Sequence, residues 1–150
     1  MGKLYYIESK QVLSIMKEDI KIIDIINNGI NEKAEIRLKE VDSICRLEFF
    51  YNNGENCIIS EGNDYFSCLV ELRRKAPYIK FLCKGAKINV YPSSMARQMS
   101  QGMVAYELVI GKQAARDNIV HTFDFDDKNI AETPDEQIDF YKKWVGSLRK

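Results

Sequence analysis

The chain has 150 residues, of which 45% are hydrophobic and 29% charged, a composition typical of one globular domain with a sizeable core. Its 22 lysines and arginines balance 22 aspartates and glutamates, so net charge does not favour a nucleic-acid or membrane partner. No apolar run is long enough to span a membrane, and the first ten residues lack the apolar core of a signal peptide. We therefore expect a single cytoplasmic domain over residues 1–150, without a membrane partner.

The cysteines and the single histidine limit the metal and redox chemistry open to the chain. The four cysteines are far apart, form no CxxC pair and have only His121 as a histidine partner, whereas zinc sites need closely spaced ligands. At least three of them fall within apolar patterns, where a free thiol behaves as a small hydrophobic group. We predict reduced, buried cysteines, no metal and no cofactor. The cysteines are Cys45, Cys57, Cys68 and Cys83.

The first thirty residues predict a strand, a helix and a second strand. Leu4–Ile7 is predicted to be a short strand, and Ser9–Asp19 a helix with Ser9 as its cap. Ile20–Ile26 could continue that helix, but its β-branched residues favour a strand. Asn27-Asn28-Gly29 predicts the turn that follows.

Alternation of apolar and polar residues predicts further strands. In Ser43–Tyr51 every second residue from Cys45 onward is apolar, so that Cys45, Leu47, Phe49 and Tyr51 would line one face. Asn52-Asn53-Gly54 predicts a hairpin turn, since these residues tolerate positive φ. A helix capped by Asn63 or Asp64 is expected to continue to Lys75. The other strands predicted here are Glu35–Val41, Asn56–Ser60 and Tyr78–Cys83.

The stretch Lys84–Lys112 predicts a strand, a short helix and a second strand. Ala86–Tyr91 has the period-two alternation of a half-buried strand, which Pro92 ends. The helix would begin at Ser93 or Ser94, carry Met95 and Met99 on one buried face, and stop at Gly102. We expect a carboxylate or backbone carbonyls to hold Arg97. The second strand would place these residues on one face: Val104, Tyr106, Leu108 and Ile110.

The end of the chain predicts one more strand and a well-defined helix. Ile119–Phe125 is predicted to be the strand. Thr133 would be the N-cap of the helix, with Pro134 in its first turn and Glu136 completing a capping box. Together these elements predict an α+β fold: a mostly antiparallel sheet of about six strands with two to four helices, the C-terminal helix docked on the sheet.

Charge is separated along the chain although it balances overall. Six basic residues and one acid lie between Ala76 and Arg116, and seven acids and one lysine lie between Asp124 and Asp139. The dipole of the C-terminal helix explains the acids in its first turn, but not those that precede it. We therefore predict an acidic, partner-binding edge that faces a basic surface. Its residues are Asp124, Asp126, Asp127, Glu132, Asp135, Glu136 and Asp139. An alternative binding loop would use Tyr91, Arg97, Gln98 and Tyr106.

Several residues between Ser43 and Leu148 carry a family resemblance. They include Lys84-Gly85, Tyr91-Pro92-Ser93, Arg97-Gln98-Met99 and Ala105-Tyr106, with Trp144 near the end. This pattern resembles immunity proteins of polymorphic-toxin and contact-dependent growth inhibition systems. The resemblance implies a non-enzymatic protein that binds and neutralises a cognate toxin domain, and a nuclease would present the basic surface that the acidic edge predicts.

Two other function classes stay open from sequence. A small enzyme or nucleotide-binding regulator could use the Tyr91–Tyr106 loop, and a nucleic-acid-binding domain could use the basic Lys80–Arg116 segment with its aromatic residues. The chain has no phosphate-binding glycine loop and no nucleophile motif, and its lone histidine shares a predicted strand face with phenylalanines. These observations favour a protein that is not an enzyme, and neutral net charge argues against nucleic acid.

Overall fold

The computed structural model describes residues 18–149. Over that range it shows an α+β fold with eight strands in two antiparallel sheets and three α-helices, which confirms the predicted fold class. The predicted strand Leu4–Ile7 lies outside the described residues, as does the predicted helix Ser9–Asp19 except for its last two residues. Within the described range, no helix has the length and apolar character that crossing a membrane requires.

The larger sheet contains five strands and is antiparallel throughout. Its first four strands follow one another as hairpins, and the fifth returns to pair with the first, giving the order β4-β3-β2-β1-β5. The Ile20–Ile26 segment is therefore a strand, as its β-branched residues indicated. The strands are β1 (Asp19–Asn27), β2 (Ile30–Val41), β3 (Ile44–Tyr51), β4 (Asn56–Gly62) and β5 (Ile79–Leu82).

Helix α1 (Tyr65–Lys75) packs on one face of this sheet. The helix begins at Asp64, whose Oδ1 accepts a hydrogen bond from the Ser67 N–H at 2.8 Å. Leu69 and Leu72 are fully buried against the sheet. Four alternate residues of β3 face the same core, which confirms the alternation read from sequence: Cys45, Leu47, Phe49 and Tyr51.

The strand alternation also decides which cysteines are buried. Cys45, Cys68 and Cys83 are buried free thiols, as predicted. Cys57 is exposed, so its predicted burial is wrong. In β4 the neighbouring residue Ile58 packs against the core, so Cys57 points to the opposite face of the sheet.

A second, three-stranded sheet follows in the order β6-β7-β8. Its strands are much shorter than predicted: β6 is Val90–Tyr91, β7 is Val104–Glu107 and β8 is Ile119–His121. Outside these short strands, two isolated antiparallel β-bridges pair residues that were predicted to lie in longer strands. They join Cys83 to Phe125 and Lys87 to Ile130. Val104 and Tyr106 alternate with Ala105 on β7, as predicted, but Leu108 and Ile110 lie beyond the strand. Ala105 is fully buried, while Val104 and Tyr106 are only partly covered.

Helix α3 (Pro134–Ser147) begins at the predicted Thr133 cap and packs against β6 and α1. The predicted capping box is wrong, because the Glu136 carboxylate bonds the N–H of Glu132 instead of that of Thr133. Thr133 Oγ1 accepts from the Glu136 N–H at 3.3 Å. The Glu136 carboxylate accepts from the N–H of Glu132, one residue before the cap, at 2.5 Å. The apolar residues Ile138, Tyr141, Trp144 and Val145 of this helix are only half-buried, whereas Gln137 is almost completely buried. A polar side chain therefore forms the deepest contact of this helix.

The segment between β5 and β6 approaches its neighbours too closely for any residue with a side chain. Gly85 lies in a short 3₁₀ turn, Lys84–Ala86, and its N–H donates to the Thr122 carbonyl at 2.7 Å. A Cβ atom at Gly85 would lie 2.6 Å from Thr122 Cγ2 and 2.8 Å from Leu69 Cδ2. Glycine at this position lets the turn pack directly on α1 and on the end of β8.

We expect Gly85→Ala to lower the free energy of unfolding by about 1–3 kcal/mol, because an added methyl group overpacks this contact. The matched control is Gly146→Ala, where a Cβ would meet nothing within 4 Å and the helical backbone favours alanine by up to about 1 kcal/mol. Urea denaturation of both variants tests the expectation. Equal stability changes at the two glycines would contradict it.

Candidate functional site

Helix α2 (Ser94–Ser100), between β6 and β7, presents two methionines to solvent. Met95 is 70% exposed and Met99 is 83% exposed, so the predicted burial of both residues is wrong. The helix has only seven residues, and Ala96 is the one that it buries. Methionines spaced by four residues therefore form an exposed apolar surface here, and other side chains must hold the helix in place.

Arg97 is the side chain that attaches α2 to the core. Its Nη1 donates to Asp64 Oδ2 at 2.8 Å and to Ser67 Oγ at 3.0 Å. Its guanidinium also lies over the rings of Phe66 and Tyr91, at 5.6 and 5.4 Å from their centroids. This confirms the expectation that a carboxylate holds Arg97. It also means that Arg97 is already occupied within the fold, whereas Gln98 beside it is exposed.

An aromatic groove adjoins the start of α2. Tyr91 stacks on Tyr141 with ring centroids 4.2 Å apart, and Tyr141 lies 6.0 Å from Trp144. The Trp144 Nε1–H donates to the Lys112 carbonyl at 2.8 Å, which fixes the indole ring. These three rings, with Tyr106 and Ser94, line an open cavity of about 350 Å³. The structure therefore brings Tyr91 and Tyr106 of the predicted binding loop together with two side chains of α3.

Three acids of the predicted edge make contacts within the protein. Asp126 accepts hydrogen bonds from Lys87 Nζ at 2.8 Å and Lys84 Nζ at 3.0 Å, and the bond from Lys87 holds its pKa well below the usual range. Asp135 forms an ion pair with Arg74 at 3.4 Å, and Glu136 completes the start of α3. The expectation that nothing in the chain accounts for Asp126 is therefore wrong.

The other four acids of the predicted edge are exposed. Within residues 18–149 their carboxylates make no hydrogen bond or ion pair, which leaves their charge available to a partner. They are Asp124, Asp127, Glu132 and Asp139.

Ion pairs within the protein neutralise much of the charge of the basic segment Lys80–Arg116. Lys87 is buried between Asp126 and Glu107, with its Nζ 2.9 Å from the Glu107 carboxylate. Lys84 is bound to Asp126 as well, and Arg97 to Asp64. Three of the six basic residues are thus neutralised by acids in contact. This argues against a continuous nucleic-acid-binding surface, which needs free cations along the phosphate path.

Catalytic and metal-binding chemistry finds little support in the described residues. Among them, no group of three or more histidine, cysteine or acidic side chains could hold a metal ion. Burial raises the pKa of Cys83 to about 11 and that of Cys68 to about 12, so both thiols stay protonated and weakly nucleophilic at neutral pH. His121 is exposed at the end of β8.

The exposure of the α2 methionines is the feature that sequence reasoning missed. The sequence signal for this exposure is the shortness of the helix between Ser93 and Gly102. A helix of about two turns can bury only one of its faces against the core. Arg97 and Ala96 occupy that face, so Met95 and Met99 must point elsewhere.

We expect Asp126→Asn to lower the free energy of unfolding at pH 7, because Lys87 and Lys84 lose their shared counter-charge. The pKa of Asp126 is lowered in the folded protein, so its contribution is complete above the unfolded-state pKa of about 4 and is lost as pH falls further. The stability difference between wild type and variant should therefore shrink below about pH 4. Denaturation between pH 3 and 7, roughly that window, measures it.

Asp127→Asn is the matched control for this measurement. Asp127 is the neighbouring residue but is exposed and unpaired within the described chain. Its variant should have nearly wild-type stability at every pH. A pH-independent difference at Asp126 would exclude the ion pairs as its cause.

Comparison with known proteins adds no family to this picture. No protein-family model matches the chain, and no curated protein matches its sequence. The functional interpretation therefore depends on the exposed methionines, the aromatic groove and the four unpaired acids, together with the sequence resemblance.

Proposed function

We propose that the protein is a non-enzymatic immunity protein that binds a cognate toxin domain and blocks it. The observation that carries the proposal is the exposed pair Met95 and Met99 on a helix that Arg97 fixes to the core. Exposed apolar side chains that cluster on a protein surface are typical of interaction sites. Methionine adapts its shape to a partner, and a rigidly held helix loses little conformational entropy on binding.

The surroundings of α2 fit the usual composition of a protein interface. The aromatic groove is lined in part by Ser94, the first residue of α2, so it lies at the start of the helix that carries the methionines. Tyrosine, tryptophan and methionine are the residues enriched at the centres of interfaces. We infer that the toxin contacts Met95, Met99 and the groove containing Tyr91 and Trp144.

The four unpaired acids suggest the charge of the partner. A nuclease toxin must bind phosphates and therefore carries a basic surface. Carboxylates that are not engaged within the protein attract such a surface over a distance and raise the rate of encounter. We infer that Asp124, Asp127, Glu132 and Asp139 contribute to association rate, while the α2 surface contributes to the lifetime of the complex.

The first test places charges on the apolar surface. The double variant Met95→Asp and Met99→Asp should bind the candidate toxin domain, taken from the secreted protein encoded beside this gene, at least about 30-fold more weakly, a loss of about 2 kcal/mol. Calorimetry measures the affinity, and growth of cells that co-express toxin and variant gives a second readout. Thermal unfolding should be unchanged because both side chains are exposed.

Ile30→Asp is the matched control for that test. Ile30 is 69% exposed but lies at the start of β2, on a different element from the methionines. This variant should bind and protect as wild type does. Equal losses at Ile30 and at the methionines, or no loss at either, would exclude α2 as the interface.

The second test reverses charge at the acidic edge. Asp127→Lys with Glu132→Lys should slow association about tenfold at low salt and leave dissociation nearly unchanged, since exposed charges act mainly on encounter. The effect should diminish as salt screens the charges. Stopped-flow binding at two salt concentrations measures it, and an unchanged association rate would remove the acids from the encounter.

A further inference from the structure

A second cavity lies on the molecule between α1, β5 and the start of α3. Its volume is about 550 Å³, within the range of small-molecule sites. Arg73, Tyr78 and Lys80 line it from α1 and β5, and Ala131 and Thr133 line it where the chain enters α3. It shares Glu132 with the acidic edge, but it does not include the α2 methionines or the aromatic groove.

Arg73 is the unusual group in this cavity. Its side chain is buried, with only 6% of the residue exposed. Nη1 donates to Gln137 Oε1 at 2.9 Å, whereas Nη2 is buried and has no hydrogen-bond partner among residues 18–149. No carboxylate of the described residues forms an ion pair with it. Burial lowers the pKa of Arg73 to about 10, so the group remains a cation at neutral pH.

A buried cation without a counter-ion is costly in a folded protein. Native structures pair nearly all such groups, and removing a charge from water without a partner costs several kcal/mol. Every arginine carries five N–H donors, and the structure supplies an acceptor for one of those on Arg73. Because Arg73 lines the cavity, an acceptor bound there is the candidate partner for this guanidinium.

Two further features make the cavity attractive to an anion. Thr133, Pro134 and Asp135 line it at the beginning of α3, where the dipole of a fourteen-residue helix is positive. Lys80 lines it as well, and its side chain is exposed.

Acids at the rim limit the charge that the cavity can accept. Glu132 and Asp135 both line it; Asp135 is paired with Arg74, but the Glu132 carboxylate has no partner among the described residues. A phosphate dianion would be repelled by these groups, whereas a single negative charge can be balanced by Arg73. The rest of the wall includes apolar residues, which suit a hydrocarbon body: Pro77, Ala86, Ile130 and Ala131.

We propose that this cavity binds a small organic monocarboxylate, with its carboxylate accepting hydrogen bonds from the Arg73 guanidinium. A planar carboxylate matches the fork of the guanidinium, and the hydrocarbon body lies against Ile130 and Ala131. Because Nη2 is buried, the guanidinium must turn toward the cavity for Nη2 to donate to the carboxylate. Of the residues assigned to toxin binding, the cavity includes only Glu132, so failure of this proposal would leave the proposed function untouched.

Benzoate and butyrate are the probes that test this proposal. Benzoate should bind in calorimetry with a Kd of about 1 mM or tighter, and should raise the melting temperature in a saturable manner at constant ionic strength. In NMR, the side-chain Nε–H resonance of Arg73 should move with benzoate and stay unchanged with the same concentration of chloride. Inorganic phosphate should bind more weakly than either carboxylate.

Variants locate the binding to this cavity. Arg73→Met should abolish binding, but Arg73 is buried and its replacement also changes stability. Lys80→Met is therefore the second variant, because its exposed side chain leaves the fold intact. Lys80→Met should weaken benzoate about threefold or more, and the matched control Lys112→Met, an exposed lysine outside the cavity, should not. No saturable binding, an unmoved Arg73 resonance, tighter phosphate binding, or equal effects at Lys80 and Lys112 would each overturn the proposal.

Discussion

The second half of the molecule depends on the side-chain amide of Gln137. Its Nε2 donates to the carbonyls of Gly85 and Lys87, at 2.8 and 2.7 Å, and its Oε1 accepts from Arg73 at 2.9 Å. One buried side chain thus joins α3 to α1 and to the turn between the two sheets. A buried amide with its partners satisfied specifies an arrangement more strictly than apolar contacts do, because any displacement leaves several polar groups without partners.

The sequence predicted well those elements whose contacts are local or one-sided. The alternation in β3 gave the correct buried face because a single helix covers it, and Asp64 and Thr133 act as caps through bonds to residues three positions away. The predicted ranges of strands β6 and β8 were too long. Lys87 shows the physical reason: its polarity predicts an outward position, but Asp126, 39 residues later, makes its burial favourable. Pairings over that distance leave no periodic signal.

The location of the candidate site could be predicted from sequence, but the exposure and contacts of its side chains could not. Sequence identified Tyr91 and Tyr106 as a possible binding loop and expected a partner for Arg97. The spacing of Met95 and Met99 did not show that Arg97 would anchor α2 in their place, because a spacing of four residues fits a buried face and an exposed one equally well. The charge separation along the chain was likewise misleading for Asp126, since folding brings opposite segments together and cancels part of it.

The Gln137 contacts also have a consequence for the order in which the chain folds. Strands β1 to β4 pair with their neighbours through short turns, whereas the bonds of Gln137 span 50 to 64 residues. Contacts of long sequence separation form slowly, and during synthesis the hairpins leave the ribosome first. Until Gln137 emerges, the carbonyls of Gly85 and Lys87 lack their internal donor. Chains interrupted before Pro134 are therefore expected to be recognised by chaperones and proteases.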